Sequence, residues 1–147
     1  MKQVVSISLG SSQRNHSAEV RLMGRSFQVR RIGTDGDLGK MIRFIRENDG
    51  KVDAFGLGGM DLYIQAVDRR YTIRDALKVA RAAKRTPLVD GSGLKNTLER
   101  RVVKYLKEKT DIFATQKKVL VVSAMDRFGL AHELAETGCE MRYGDLI

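Results

Sequence analysis

Tryptophan is absent, Cys139 is the only cysteine, and aromatic residues make up 6% of the chain. A lone cysteine excludes a disulfide framework and a cysteine-based metal cluster, and points to the reducing cytoplasm. Few aromatics leave the basic regions without the stacking groups on which a single-strand nucleic-acid binder relies. The two histidines, His16 and His132, stand far apart without acidic spacing around either, so no metal site is expected. No apolar run approaches the roughly 20 residues of a membrane span, and no membrane partner is expected. The N-terminal MKQVVSISLGSSQRN turns polar too early for a secretory signal and reads as a first strand. No internal repeat or low-complexity segment is present. What remains is an ordinary apolar fraction of 42%, enough chain at 147 residues for one core or slightly more, and a net charge of +9.

That charge is concentrated. Between Arg74 and Lys109 stand eleven Lys/Arg against four Asp/Glu. Such a field suits phosphates, nucleic acid or acidic small molecules, and equally describes the solvated outer faces of two helices.

Strand and helix patterns alternate along the chain. Val4 to Leu9 is a strand candidate. Glu19 to Met23 and Phe27 to Ile32 flank Gly24-Arg25 as a hairpin. Asp35-Gly36-Asp37 caps a helix with Leu38, Met41, Ile42 and Ile45 on its apolar face, stopped by Asp49-Gly50. Val52 to Leu57 is a buried strand. Tyr63 to Val67 and Arg70 to Thr72 form a second hairpin around Asp68-Arg69. Ile73, Ala76, Leu77, Ala80 and Ala83 line a helix, and Pro87 to Val89 follow as a strand. Leu94, Leu98, Val102, Tyr105 and Leu106 trace the apolar face of another helix. The polar run Lys109 to Gln116 reads as a linker, which puts a boundary near residue 112. The expected fold is α/β, a mixed or parallel sheet layered with helices. Its first domain spans 1–112, and 113–147 begins a Rossmann-like unit that this chain leaves incomplete.

That unit carries the most specific chemistry. Lys118 to Val122 is a strong strand, Ser123 to Gly129 a turn, and Leu130, Ala131, Leu134 and Ala135 the inward face of a helix ended by Gly138. Glu140 to Tyr143 is the second strand, and Asp145 follows it, 22 positions after Ser123. A helix N-terminus offers unpaired N–H groups and a positive dipole end to a pyrophosphate. An acidic residue at the end of the second strand accepts hydrogen bonds from ribose hydroxyls. Ser123, Asp126, Arg127, Gly129 and Asp145 are therefore the candidate cofactor residues. Asp145 favours NAD over NADP, because a 2′-phosphate would meet like charge, while Arg142 nearby works the other way. Of the three fingerprint glycines only Gly129 remains, since Ser123 and Met125 take the first two places. The same pattern also describes an ordinary parallel strand–helix–strand pair with an acidic loop cap.

Gly58-Gly59 and Asp90-Gly91-Ser92-Gly93 each follow a strand. Gly58, Gly59, Ser92, Gly93 and Asn96 are candidates for binding an anion or substrate. In the second cluster Ser92 suits a cap and Lys95 lies in the first helical turn. Each cluster also reads as a junction in which glycine serves geometry alone. Asp90 and Lys95 form the one acid/amine combination suited to proton transfer.

The stretches VVSISLGSS, RIGTDGDL, DAFGLGGMDLY, VDGSGLKNTLERR and KVLVVSAMDRFG together resemble bacterial quinate/shikimate 5-dehydrogenase-like proteins over nearly the whole chain. The resemblance implies an N-terminal substrate domain followed by a domain binding NAD or NADP, in proteins about twice this length. It implies an oxidoreductase acting on a polyhydroxy carboxylate, with Lys95 and Asp90 as the catalytic proton-transfer pair. Two readings stand beside it. One is a non-enzymatic module binding nucleic acid or another polyanion through the basic helices of 74–109. The other is a homo-oligomer assembled through the exposed strands Val119 to Val122 and Met141 to Tyr143.

Overall fold

The computed structural model describes residues 1–66, 69–115 and 117–145. It is a mixed α/β structure that divides into two compact units, 1–62 with 72–91 (unit 1) and 63–71 with 92–145 (unit 2). No helix among the described residues is long and apolar enough to cross a membrane.

Unit 1 is built on a five-stranded sheet. Its strands are β1 (Lys2–Ser8), β2 (His16–Leu22), β3 (Arg25–Gly33), β4 (Ala54–Gly58) and β7 (Leu88–Val89), in the order β2-β3-β1-β4-β7. β1 pairs parallel with β3 and β4, and β4 with β7; β2 is antiparallel to β3. The β2–β3 hairpin turns at Met23 and Gly24, both with positive φ (50° and 74°). That is the backbone twist a tight two-residue hairpin needs, and it places the turn one residue before the Gly24-Arg25 expected. Alternation along β1 and β4 sends Val5, Ile7, Phe55 and Leu57 to one face. There they meet Met41 and Ile45 of α1 (Leu38–Asn48) and Ala76 and Val79 of α2 (Arg74–Ala80). The Asp37 carboxylate caps α1 by accepting from Lys40 N–H at 2.8 Å, as the Asp-Gly-Asp motif predicts.

Three aspartates hold the loops of this unit. Asp49 accepts from the N–H groups of Lys84, Arg85 and Thr86. Its carboxyl lies below the ordinary range, chiefly through the Thr86 bond. Asp53 is lowered by the Lys2 ammonium and the Gln3 N–H, and Asp35 by the Ser12 N–H.

Unit 2 contains β5 (Tyr63–Ala66) paired with β6 (Arg69–Thr72), of which residues 69–71 belong to the unit. The expected hairpin turn involves Val67 and Asp68, which lie outside the described residues. α3 (Ser92–Lys109), α4 (Ile112–Thr115), β8 (Lys118–Val121), α5 (Phe128–Ala135) and β9 (Glu140–Tyr143) follow. β8 and β9 are parallel and joined through α5. The core cluster is Val103, Val121, Ala131 and Leu134.

Two features of unit 2 differ from the sequence reading. The compact units divide at Gly91/Ser92, and position 112 falls inside unit 2. Most of the polar stretch read as a linker is instead the end of α3 and the short helix α4, with Gln116 outside the described residues. The stripe Leu94, Leu98, Val102 and Tyr105 of α3 is exposed, and Val103 is the helix's buried apolar residue. At 3.6 residues per turn Val103 lies opposite that stripe. The helix turns this side toward α5 because of Gly129. A Cβ on Gly129 would stand 1.9 Å from the Lys95 carbonyl oxygen, so α5 meets α3 backbone to backbone there. On α5, Ala131 and Leu134 are buried as expected and Leu130 is half-buried, whereas Ala135 is exposed.

Candidate functional site

The turn Val122–Arg127 links β8 to α5. Its Ser123 carbonyl accepts from Arg127 N–H at 2.9 Å, and Arg127 caps α5 with no side-chain bond to the helix. After β9, Gly144 N–H donates to the Val121 carbonyl at 2.9 Å. A Cβ on Gly144 would lie 3.1 Å from Val122 Cα, so the exit of β9 passes close beside the exit of β8. Asp145 is thereby delivered to the turn, where its Oδ2 accepts from Met125 N–H at 2.5 Å.

Charged groups gather at the start of α5. Lys95 Nζ lies 2.5 Å from Asp126 Oδ1, with the lysine side chain largely buried. Arg127 pairs with Glu99 through Oε1 and approaches Asp126 Oδ2 at 3.6 Å. Glu99 Oε2 is buried with no partner among the described residues. Lys95 and Arg127 thus balance the Asp126 and Glu99 carboxylates at the start of the helix.

Beside the turn lies a cavity of about 270 Å³, lined among others by Arg100, Met125, Phe128, His132, Tyr143 and Asp145. Arg100 Nη1 is 2.9 Å from His132 Nδ1. A guanidinium only donates, so Arg100 is the donor in this contact and Nδ1 the acceptor. Glu133 Oε2 stands 3.6 Å from the same Arg100 nitrogen. The Phe128 ring lies 5.9 Å from that of Tyr63, over which Arg70 stacks at 3.9 Å.

The structure brings Lys95, Asp126 and Arg127 together, and Asp145 with the turn that Ser123 opens. Gly129 serves the α3–α5 contact. Asp90 belongs to unit 1, where its Oδ2 accepts from Leu62 N–H at 2.7 Å. Gly58 and Gly59 are also in unit 1. A Cβ on Gly58 would crowd Ser8 Cβ at 3.0 Å, and Gly59 has φ +71°, so Gly58 serves side-chain packing and Gly59 the backbone conformation. In unit 2, Ser92 is a buried first residue of α3, Gly93 faces open space, and Asn96 Oδ1 accepts from Arg100 Nε at 3.1 Å. Sequence reasoning missed Arg100, which was one cation among many, and the pairing of His132 with it. Residues 32 positions apart leave no local signal of their contact.

Residues 3–90 match a family model described as Domain of unknown function (DUF8753). The chain belongs to that family. Residues 93–147 match a second model, Domain of unknown function (DUF8754), so the seam between the two falls where the compact units divide. No curated protein and no solved structure matches the chain.

Proposed function

We propose that unit 2 binds an NAD-type dinucleotide at the β8–α5 turn, as a Rossmann-like half, and that the chain serves an NAD(P)-linked oxidoreductase of the quinate/shikimate type. The observation that carries this reading is Asp145, which leaves the second of two parallel strands and hydrogen-bonds the turn that follows the first. A ribose diol is bound by a carboxylate in that position, and a pyrophosphate by the N-terminus of the intervening helix.

The residues fit such a ligand. Asp145 would hold the ribose hydroxyls, and Arg127 with the first N–H groups of α5 the phosphates. The cavity beside Met125 and Tyr143 is smaller than a whole dinucleotide needs and suits one ring-sized part. A carboxylate at Asp145 would face the 2′-phosphate of NADP with like charge, so NAD is preferred to NADP. A nicotinamide, when bound, supplies the hydride acceptor. Lys95 is the proposed residue for moving the hydroxyl proton of a polyhydroxy carboxylate, on the strength of the family resemblance.

Calorimetric titration of NAD and NADP into the chain tests this reading. NAD is expected to saturate and to bind more tightly than NADP. Asp145→Ala is expected to weaken NAD about tenfold, the scale of one charged hydrogen bond. Absence of binding, or an affinity indifferent to Asp145→Ala, overturns it.

A further inference from the structure

The two edges of the unit 1 sheet are unlike. At one edge β7 is two residues long, too short to template another strand. At the other, β2 runs seven residues, all exposed, paired to β3 in unbroken register from His16↔Arg31 to Leu22↔Arg25. It has neither a proline nor a bulge, two of the devices that keep an edge from pairing, and its charged residues Glu19 and Arg21 are of opposite sign. Its outer backbone groups face no other strand among the described residues.

The side chains of β2 are sorted by face. Ala18, Val20 and Leu22 alternate onto the side that carries Phe27 and Val29 of β3, and Val20, Leu22 and Val29 are exposed. Glu19 and Arg21 point to the other side, opposite the neutral Gln28 and Ser26 of β3. The strand is therefore self-complementary when reversed about Val20. Two antiparallel copies in that register set Val20 against Val20, Ala18 against Leu22 and Glu19 against Arg21, twice each for the last two pairs. The apolar pairs extend one apolar face across the junction, and both charged pairs are of opposite sign.

We infer that β2 is a homodimerisation edge. A second copy of this chain adds its β2 antiparallel to the first, about a two-fold axis at Val20, making one continuous sheet. The contact is isologous, as a closed dimer requires. It rests on unit 1 alone and stands or falls separately from the cofactor reading of unit 2.

Sedimentation of the full chain from low to high micromolar concentration, with charge reversals in β2, tests the inference. A monomer–dimer equilibrium is expected. Glu19→Arg and Arg21→Glu should each raise the dissociation constant about tenfold, and the double variant should return to within about threefold of the parent. General repulsion between two chains of charge +9 would act differently, since Arg21→Glu lowers that charge and would tighten the dimer. A monomer throughout the range overturns the inference. So does a dimer indifferent to either reversal, or a double variant as weak as the singles.

Discussion

In unit 1 the sheet and two helices bury Val5, Ile7, Met41, Ile45, Phe55 and Val79 completely. Among the described residues the core cluster of unit 2 is Val103, Val121, Ala131 and Leu134, and of these Val103 alone is fully buried. At roughly 1.5–3 kcal/mol for each fully buried large side chain, unit 1 draws far more on the hydrophobic effect. Both units show apolar side chains to solvent, Leu22 and Val89 in unit 1, and Leu98, Tyr105, Leu120 and Val122 in unit 2. Among the described residues unit 2 lacks a comparable buried core. It relies on the close α3–α5 approach at Gly129 and on ion pairs around Asp126, Arg127 and Glu99. The difference separates two ways of holding a site. Unit 1 fixes its loops with buried strands and aspartate clamps. In unit 2 the candidate site depends on one tight backbone contact and on charge.

The sharpest way to break that contrast is Gly129→Ala. The added methyl meets a backbone oxygen, so the two helices must part, at a cost of about 1–3 kcal/mol or more. Hydrogen exchange should quicken at the amides of α3 and α5 and leave β1 and β4 unchanged. Equal quickening in both units would contradict the division.

A smaller effect belongs to unit 1 and is read against pH. The Asp49 carboxyl is held below its unfolded value, so its contribution is complete above about pH 4 and is lost as pH falls through the folded value. Asp49→Asn should make the loss of stability below about pH 4 shallower, as followed by circular dichroism of the acid transition. Asp35 and Asp53 retain the rest. An unchanged acid slope would show that the three N–H bonds of Asp49 carry no linkage.

Local signals in the sequence were good guides to local structure. The β2–β3 hairpin, with its turn one residue earlier than expected, the Asp37 cap and the β8–α5–β9 order follow from turn chemistry, side-chain acceptors and hydrophobic period. What could not be read were choices made by distant partners. The stripe Leu94, Leu98, Val102 and Tyr105 has a regular helical period, yet α3 turns Val103 inward because Gly129 of α5 admits that side closely. Periodicity names an apolar face without naming the neighbour that takes it. The run around Lys109 to Gln116 has the composition of a linker, yet hydrogen bonds from Ala114 and Thr115 to the Asp111 carbonyl close a helical turn within it. At the candidate site, Asp145 was legible from its spacing. The Lys95–Asp126 pair spans 31 positions, and no local pattern announces it.

The central claim is that the turn after β8, with Asp145, is a dinucleotide site. Its most direct test is to follow the backbone amide resonances of the chain during titration with NAD. Saturable shifts are expected at Val122–Ala131 and Tyr143–Asp145, with the Met125 amide among the largest as Asp145 exchanges its backbone partner for a ribose. Shifts elsewhere alone, or no saturable shift at the Met125 amide, would contradict it.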